Sequence, residues 1–400
     1  MVATGTLVTL VVAALASLFM AWSIGAGSSG STPFAPAVGA NAISVMRAGF
    51  IVGVLGLSGA VLQGANVTEA VGTELVVGSV LTATASTVAL LVAAALVAIG
   101  VFAGYPIATA FTVTGAVVGV GLANGGGPAI AKYQQILALW VLTPFVGGGI
   151  AYGTARFLRN ESVPERVAVP ALGGLIGLLV ANIRFAALGG EGGRSLAEVG
   201  AASTLAIVLP VVGIDLGVAA VTGLFVVASF VLVRREIQID AARGQRRFLL
   251  ALGGLVAFSA GGSQVGLAIG PLVPLLDAVA VPLPALLVGG GIGLLVGSWT
   301  GAPRMIKAIS QDYSSLGPRR SIAAMIPSFA IAQAAVAFGI PVSFNEIIVS
   351  AIIGSGYAAG GAGVSREKML KTVLAWVGSL ALAFGVAYAG FTAVDAVLSV

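Results

Sequence analysis

The sequence predicts an all-α, polytopic membrane protein made of two inverted repeats. Three observations carry that reading. Only 8% of the 400 residues are charged and the mean hydropathy is +1.10, whereas a soluble domain carries about 25% charge. Long stretches hold no Asp, Glu, Lys or Arg: Met1–Met46, Leu75–Ala131, Phe248–Leu276, Ala278–Pro303, Ser321–Asn345 and Thr372–Val394. A spanning helix needs roughly 20 apolar residues, so these runs and their neighbours supply about ten to twelve membrane-embedded segments. The chain also repeats itself. Ala21-Trp22-Ser23-Ile24-Gly25-Ala26-Gly27 returns as Ala257-Phe258-Ser259-Ala260-Gly261-Gly262-Ser263, and Gly104-Tyr105-Pro106-Ile107 as Gly339-Ile340-Pro341-Val342. Trp140 matches Trp376, and Gly149-Ile150-Ala151-Tyr152 matches Gly385-Val386-Ala387-Tyr388. All four anchors keep a spacing of 235 or 236 residues, which marks an internal duplication.

Residues 1–160 form the first repeat, 161–240 a set of inserted helices with a basic linker, and 241–400 the second repeat. No basic region precedes the first apolar run, so a cleaved signal peptide is not expected. The insert holds the apolar stretches Val167–Ala187 and Gly200–Val233. The polar linkers are Arg156–Arg166 and Arg234–Arg247. Inversion is read from charge. The loop Arg304–Arg320 carries Arg304, Lys307, Arg319 and Arg320, while its counterpart Thr68–Glu74 carries Glu69 and Glu74. Opposite bias at equivalent loops places them on opposite sides of the membrane. Lys132 and the cluster Arg366, Lys368 and Lys371 break this pattern, being basic at equivalent positions.

The net charge of +5 reads as topology. Arg234, Arg235, Arg243, Arg246 and Arg247 form the densest basic cluster, and the Arg304–Arg320 loop the next; both are expected on the cytoplasmic side. They are suited to anionic membrane lipid and give no sign of nucleic acid. With no cysteine and no histidine, disulfides, thiol chemistry, the usual metal ligand and the usual proton shuttle are absent. Gly125-Gly126-Gly127 lacks the Lys-Ser/Thr of a phosphate-cradling loop. No nucleophile–base pair is visible, so the chain does not read as an enzyme, and no metal or cofactor is expected.

Each repeat carries two segments that resist a straight helix. One is rich in Gly, Ser and Pro: Gly25–Asn41 and Gly261–Pro274. The other follows the Gly-x-Pro: Pro106–Asn124 and Pro341–Gly360. Glycine and proline at this density oppose helix continuity. Irregular backbone at membrane depth survives only in protein or beside a wet cavity. Broken or re-entrant helices near the midplane fit, with free N-terminal amides that suit an anion.

These segments resemble the signatures of the inorganic phosphate transporter family, the PiT or Pho4-type permeases. The family pattern reads roughly GANDVANAxGP once per repeat. Here Ala257-Phe258-Ser259-Ala260-Gly261-Gly262-Ser263-Gln264 continues through Gly270-Pro271, with Ser263 at the Asn position and Gln264 at the Asp position. The first copy, Trp22-Ser23-Ile24-Gly25-Ala26-Gly27-Ser28-Ser29, places Gly27 at Asn and Ser28 at Asp. The PVSTTH-like motif also returns twice, as Pro106-Ile107-Ala108-Thr109-Ala110-Phe111 and Pro341-Val342-Ser343-Phe344-Asn345-Glu346. Gln63-Gly64-Ala65-Asn66-Val67-Thr68-Glu69 is similar to the family's GxxVTET element. This chain is a divergent member by that comparison, because both signature Asp positions are neutral.

The resemblance implies secondary active transport of inorganic phosphate across the cell membrane by H+ or Na+ symport with alternating access. A sulfate permease of the same fold, an anion channel and a non-transporting anion sensor are the alternatives. A homodimer is also implied. The expected oxyanion site comprises Ser28, Ser29, Thr32, Thr109, Ser263, Gln264, Ser343 and Asn345, which offer hydroxyl and amide groups beside helix breaks. Neutral Ser28 and Gln264 hold Na+ less well than carboxylates do. Glu346 is the expected cation-coupling residue, because no other charge lies between Ser321 and Ser365. A buried carboxylate must be paired, coordinated or protonated. It also stands where a helix start would place a capping acid. Asp215 and Asp277 read as a second buried acid or as turn markers, and Arg184 as an interfacial residue.

Overall fold

The computed structural model describes residues 4–78, 81–185, 188–189, 193–202, 208–209, 214–276, 281–361 and 364–398. The first repeat contains α1 (Thr4–Ile24), which runs into a π-turn over Gly25–Ser29, then α2 (Ala35–Gly39), α3 (Val45–Gln63), α4 (Ala65–Thr73), α5 (Ala83–Ala103), α6 (Thr109–Ala123) and α7 (Ile130–Leu158). The insert contains α8 (Glu165–Ala181), α9 (Leu196–Ala202) and α10 (Leu216–Ile239). The second repeat contains α11 (Ala241–Ile269) with a 3-10 turn over Gly270–Leu275, then α12 (Leu283–Thr300), α13 (Ala302–Asp312), α14 (Pro318–Ala337), α15 (Phe344–Tyr357) and α16 (Arg366–Leu398). The only strands among the described residues are two-residue antiparallel pairs, β1 (Val76–Val77) with β2 (Gly127–Pro128), β3 (Arg184–Phe185) with β4 (Arg194–Ser195), and β5 (Val208–Leu209) with β6 (Ile214–Asp215). Among the described residues nine helices are long and apolar enough to cross a membrane. The chain is therefore a multi-pass, all-helical membrane protein.

The Gly-x-Pro motif has a direct structural cause. Gly104 (φ 72°) and Gly339 (φ 60°) adopt the left-handed conformation that ends α5 and α14. The chain then runs extended through the proline before α6 and α15 start at Thr109 and Phe344. Both are half-helices of 15 and 14 residues, too short to span alone.

The duplication is visible as reciprocal contacts. Trp140 Nε1 donates to Pro341 O at 2.9 Å, and Trp376 Nε1 donates to Pro106 O at 2.8 Å. Each tryptophan thus pins the break in the other repeat. Lys132 pairs with Glu74 at 2.6 Å, and Lys368 pairs with Asp312 at 3.1 Å. Lys132 also reaches Gly339 O at 3.4 Å, just beyond the C-terminal end of α14. Asp312 lies a few residues before the other end of that helix. The two ion pairs thus lie toward opposite ends of α14.

Several sequence expectations change. Gly261–Pro274 is not broken throughout: α11 stays helical to Ile269. A Cβ on Gly261 would overlap Gly56 O, and one on Gly59 would overlap Phe258 O. The glycines therefore serve close packing of α3 on α11. Gly25 against Leu294 O and Gly297 against Trp22 O repeat the device between α1 and α12. The linker Arg234–Arg247 is helical on both sides of one junction residue. Asp240 there caps α11 by accepting from Arg243 N at 3.1 Å. The Arg304–Arg320 loop is largely α13. Asp215 caps α10, accepting from Gly217 N at 2.8 Å and Val218 N at 3.2 Å. Asp277 lies outside the described residues. Arg184 is exposed and pairs with Glu198 at 3.1 Å. Glu165 receives Arg319 at 3.1 Å and also bonds Gln245, while Arg246 Nε donates to Ala42 O at 2.7 Å. Both basic clusters therefore share one end of the bundle.

Replacing either clamp tryptophan by phenylalanine leaves a buried carbonyl without its donor. Trp140→Phe and Trp376→Phe are each expected to cost about 1–3 kcal/mol. The drop is read as a lower melting temperature of the purified protein, and equal melting for wild type and both variants would refute the clamp.

Candidate functional site

Three breaks and the last turns of α11 meet at one buried place. The π-turn after α1 brings Ser28, the start of α6 brings Thr109, the C-terminal part of α11 brings Gln264, and the start of α15 brings Asn345. All four are fully buried. Ser28 Oγ donates to Gln264 Oε1 at 3.0 Å, and Thr109 Oγ1 donates to the same oxygen at 2.8 Å. Gln264 Nε2 donates to Val342 O at 2.6 Å. Asn345 Nδ2 donates to Gly27 O at 2.9 Å and to Ile107 O at 2.6 Å. Ser28 and Gln264 stand 236 residues apart, so equivalent positions of the two repeats touch each other.

The remaining predicted residues divide. Ser29, Ser263 and Ser343 are buried neighbours of this cluster, and the hydroxyl of each has no hydrogen-bond partner. Asn345 Oδ1 has none either. Thr114 Oγ1, Thr143 Oγ1, Ser314 Oγ and Glu346 Oε2 are likewise unpartnered among the described residues. Thr32 Oγ1 donates to Ser28 O at 3.0 Å, as Ser31 Oγ does at 3.2 Å. Thr32 thus shapes the turn that presents Ser28.

The α6 and α15 N-termini lie beside this cluster. The first amides of a helix have no intrahelical acceptor, and the helix dipole makes that end positive. Ser343, the N-cap residue of α15, makes no side-chain cap bond, which leaves its hydroxyl and those amides for another acceptor. No Lys or Arg belongs to the cluster, so an anion here meets only neutral donors and helix ends.

Glu346 lies elsewhere. It is the residue after Asn345, about 100° further round the helix. It is 2% exposed and faces a cavity of about 840 Å³ lined by Phe111, Trp140, Tyr152, Ser350 and Trp376. Its Oε2 has no hydrogen-bond partner. Phe111 stacks on Trp140 with ring centroids 3.9 Å apart, so the carboxylate sits in an aromatic wall.

Sequence reasoning missed a second polar place in the bundle. A cavity of about 570 Å³ is lined by Gln63, Asn66, Asn182, Arg184 and Gln333. The two glutamines exchange amide hydrogen bonds of 3.3 and 3.2 Å, and Gln333 Nε2 donates to Ser259 Oγ at 2.6 Å. Ser259 is one helical turn from Ser263. The available signal was Gln333, the single polar amide inside the uncharged run from Ser321 to Pro341.

Comparison with known proteins agrees with this architecture. The sequence model of the phosphate transporter family matches residues 24–387. A chain named as a phosphate permease in Thermococcus kodakarensis is 25% identical over 379 residues, covering 89% of this chain and 90% of that one. A chain named as a phosphate permease in Pyrococcus furiosus is 26% identical over 394 residues, covering 92% of each. The solved structure of a sodium-dependent phosphate transporter superposes with a TM-score of 0.80 at 22% identity, covering 97% of this chain and 99% of that one.

Proposed function

The chain belongs to the phosphate transporter family, and from that premise we propose that it carries inorganic phosphate across the membrane by cation-coupled alternating access. The observation that carries the reading is the buried cluster of Ser28, Thr109, Gln264 and Asn345, joined across the two halves of the chain beside two helix starts. The oxyanion is held by Ser28, Ser29, Thr109, Ser263, Gln264, Ser343 and Asn345, with Thr32 holding the turn. Helix-end amides supply the positive potential that the side chains lack. The two repeats, 1–160 and 241–400, contribute matched halves, and the insert 161–240 lies between them in sequence. Rocking of one set of elements against the other exposes the cluster to each side in turn.

Glu346 supplies the coupling charge. Anion and cation sites then lie on adjacent faces of α15, so one half-helix senses both. A buried carboxylate has to be neutralised by a bound cation or proton before α15 moves through the apolar wall. The neutral Ser28 and Gln264 weaken any Na+ site at the anion cluster itself, which leaves Glu346 as the place where H+ or Na+ acts.

The test is uptake of labelled phosphate and labelled sulfate into proteoliposomes under imposed Na+ and H+ gradients. Wild type is expected to concentrate phosphate under at least one gradient. Glu346→Gln is expected to lose gradient-driven accumulation while keeping phosphate–phosphate exchange. Uptake of sulfate alone overturns the substrate, and absence of flux for both anions overturns the carrier.

A further inference from the structure

We infer that Asn345 selects oxyanions that carry a hydroxyl, its Oδ1 accepting a hydrogen bond from the protonated oxygen of the bound anion. The inference rests on the phosphate reading above.

The orientation of the Asn345 amide is dictated by its partners. Nδ2 lies 2.9 Å from Gly27 O and 2.6 Å from Ile107 O. Both partners are backbone carbonyls, which only accept. A flipped amide would set Oδ1 against two carbonyl oxygens, so the assignment is unambiguous. Both Nδ2 hydrogens are therefore used. Oδ1 remains as a pure acceptor on a fully buried residue, with no hydrogen-bond partner.

What satisfies that atom is a donor. The nearby hydroxyls of Ser28 and Thr109 are committed to Gln264 Oε1. Those of Ser29, Ser263 and Ser343 are unpartnered and do not bond Asn345. A fully deprotonated oxyanion brings only lone pairs and would repel Oδ1. Hydrogen phosphate brings one P–OH and three bare oxygens. The cluster offers one free acceptor, Asn345 Oδ1, and the unpartnered hydroxyls of Ser29, Ser263 and Ser343 belong to residues within two positions of its members in sequence. That acceptor complements the P–OH. Arsenate has the same pattern at neutral pH. Sulfate and fluorophosphate have the same tetrahedral shape and no hydroxyl. A site built to bond a ligand hydroxyl rejects analogues that lack it far more strongly than an apolar pocket rejects a size change.

The experiment is competition against labelled phosphate uptake in proteoliposomes at neutral pH, with unlabelled arsenate, sulfate or fluorophosphate as competitor. It is run in Na+ and again in N-methylglucamine, so that a cation on Oδ1 is distinguished from a hydroxyl. Arsenate is expected to compete within a few-fold of phosphate itself. Sulfate and fluorophosphate are expected to need at least tenfold more, in both media. Asn345→Leu is expected to bring those ratios to within about twofold in whatever uptake remains. If that variant fails to fold, the wild-type comparison still decides. Sulfate and fluorophosphate competing as well as arsenate in wild type would overturn the inference and leave the carrier intact. Discrimination that appears only in Na+ would also overturn it, as would a tenfold ratio surviving in Asn345→Leu. Absence of phosphate uptake in wild type overturns this inference and the function together.

Discussion

Gln264→Leu is expected to lower phosphate uptake by on the order of 100-fold and to lower the melting temperature of the purified protein as well. Three groups depend on that one amide: Ser28 Oγ and Thr109 Oγ1 donate to it, and Val342 O accepts from it. Leucine matches the volume and removes all three bonds. Each buried group left unpaired costs about 1 kcal/mol or more, and about 1.4 kcal/mol is tenfold in an equilibrium. The lost bonds organise the site between the repeats, so uptake falls along with stability. Gln264→Glu separates geometry from charge. It keeps the acceptor for Ser28 and Thr109 but replaces the Val342 donor with a negative oxygen. Phosphate uptake should fall as well, and what remains should depend more strongly on the cation. Uptake by Gln264→Leu within twofold of wild type would remove Gln264 from the site.

The second large effect is on stability. Gly261→Val is expected to cost about 3 kcal/mol or more, because its Cβ would overlap the backbone carbonyl of Gly56. Backbone cannot step aside as a flexible side chain does, so α3 and α11 must separate. Gly223 is the control. It lies inside α10 with nothing near its would-be Cβ. Gly223→Ala is expected to be neutral or stabilising by up to about 1 kcal/mol through helix propensity. Melting temperatures of the two purified variants check both signs. A Gly261→Val protein that melts with wild type would mean that the α3–α11 crossing is loose.

Much of the site was legible before any fold was known. Thr109 and Asn345 were singled out because they follow the Gly-x-Pro breaks, and those breaks place both at starts of half-helices. Ser28 and Gln264 were singled out as equivalent residues of a duplicated motif, and they touch. Glu346 reads from the sequence as a cation-coupling residue, because it is the lone charge between Ser321 and Ser365. The helix turns it by about 100° from Asn345 into an aromatic wall. Gly261–Ile269 was expected to be irregular by composition. Composition counts glycines but does not say what lies opposite them, and the backbone of α3 lies there. The Gln63–Gln333 pair joins residues 270 apart, and no local pattern links them.

By itself, the sequence determined that this is a multi-pass helical membrane protein, and where α5 and α14 end. Uncharged runs, αL glycines and prolines act locally, so those features can be read along the chain. Only the tertiary structure decided which polar atoms are left over. Hydrogen-bond satisfaction is a property of neighbours brought from several helices. Ser31 and Ser29 are both serines of one turn, yet Ser31 bonds Ser28 O and Ser29 bonds nothing. The free oxygen of Asn345 exists only once its amide nitrogen is taken up by Gly27 O and Ile107 O from the other half of the chain.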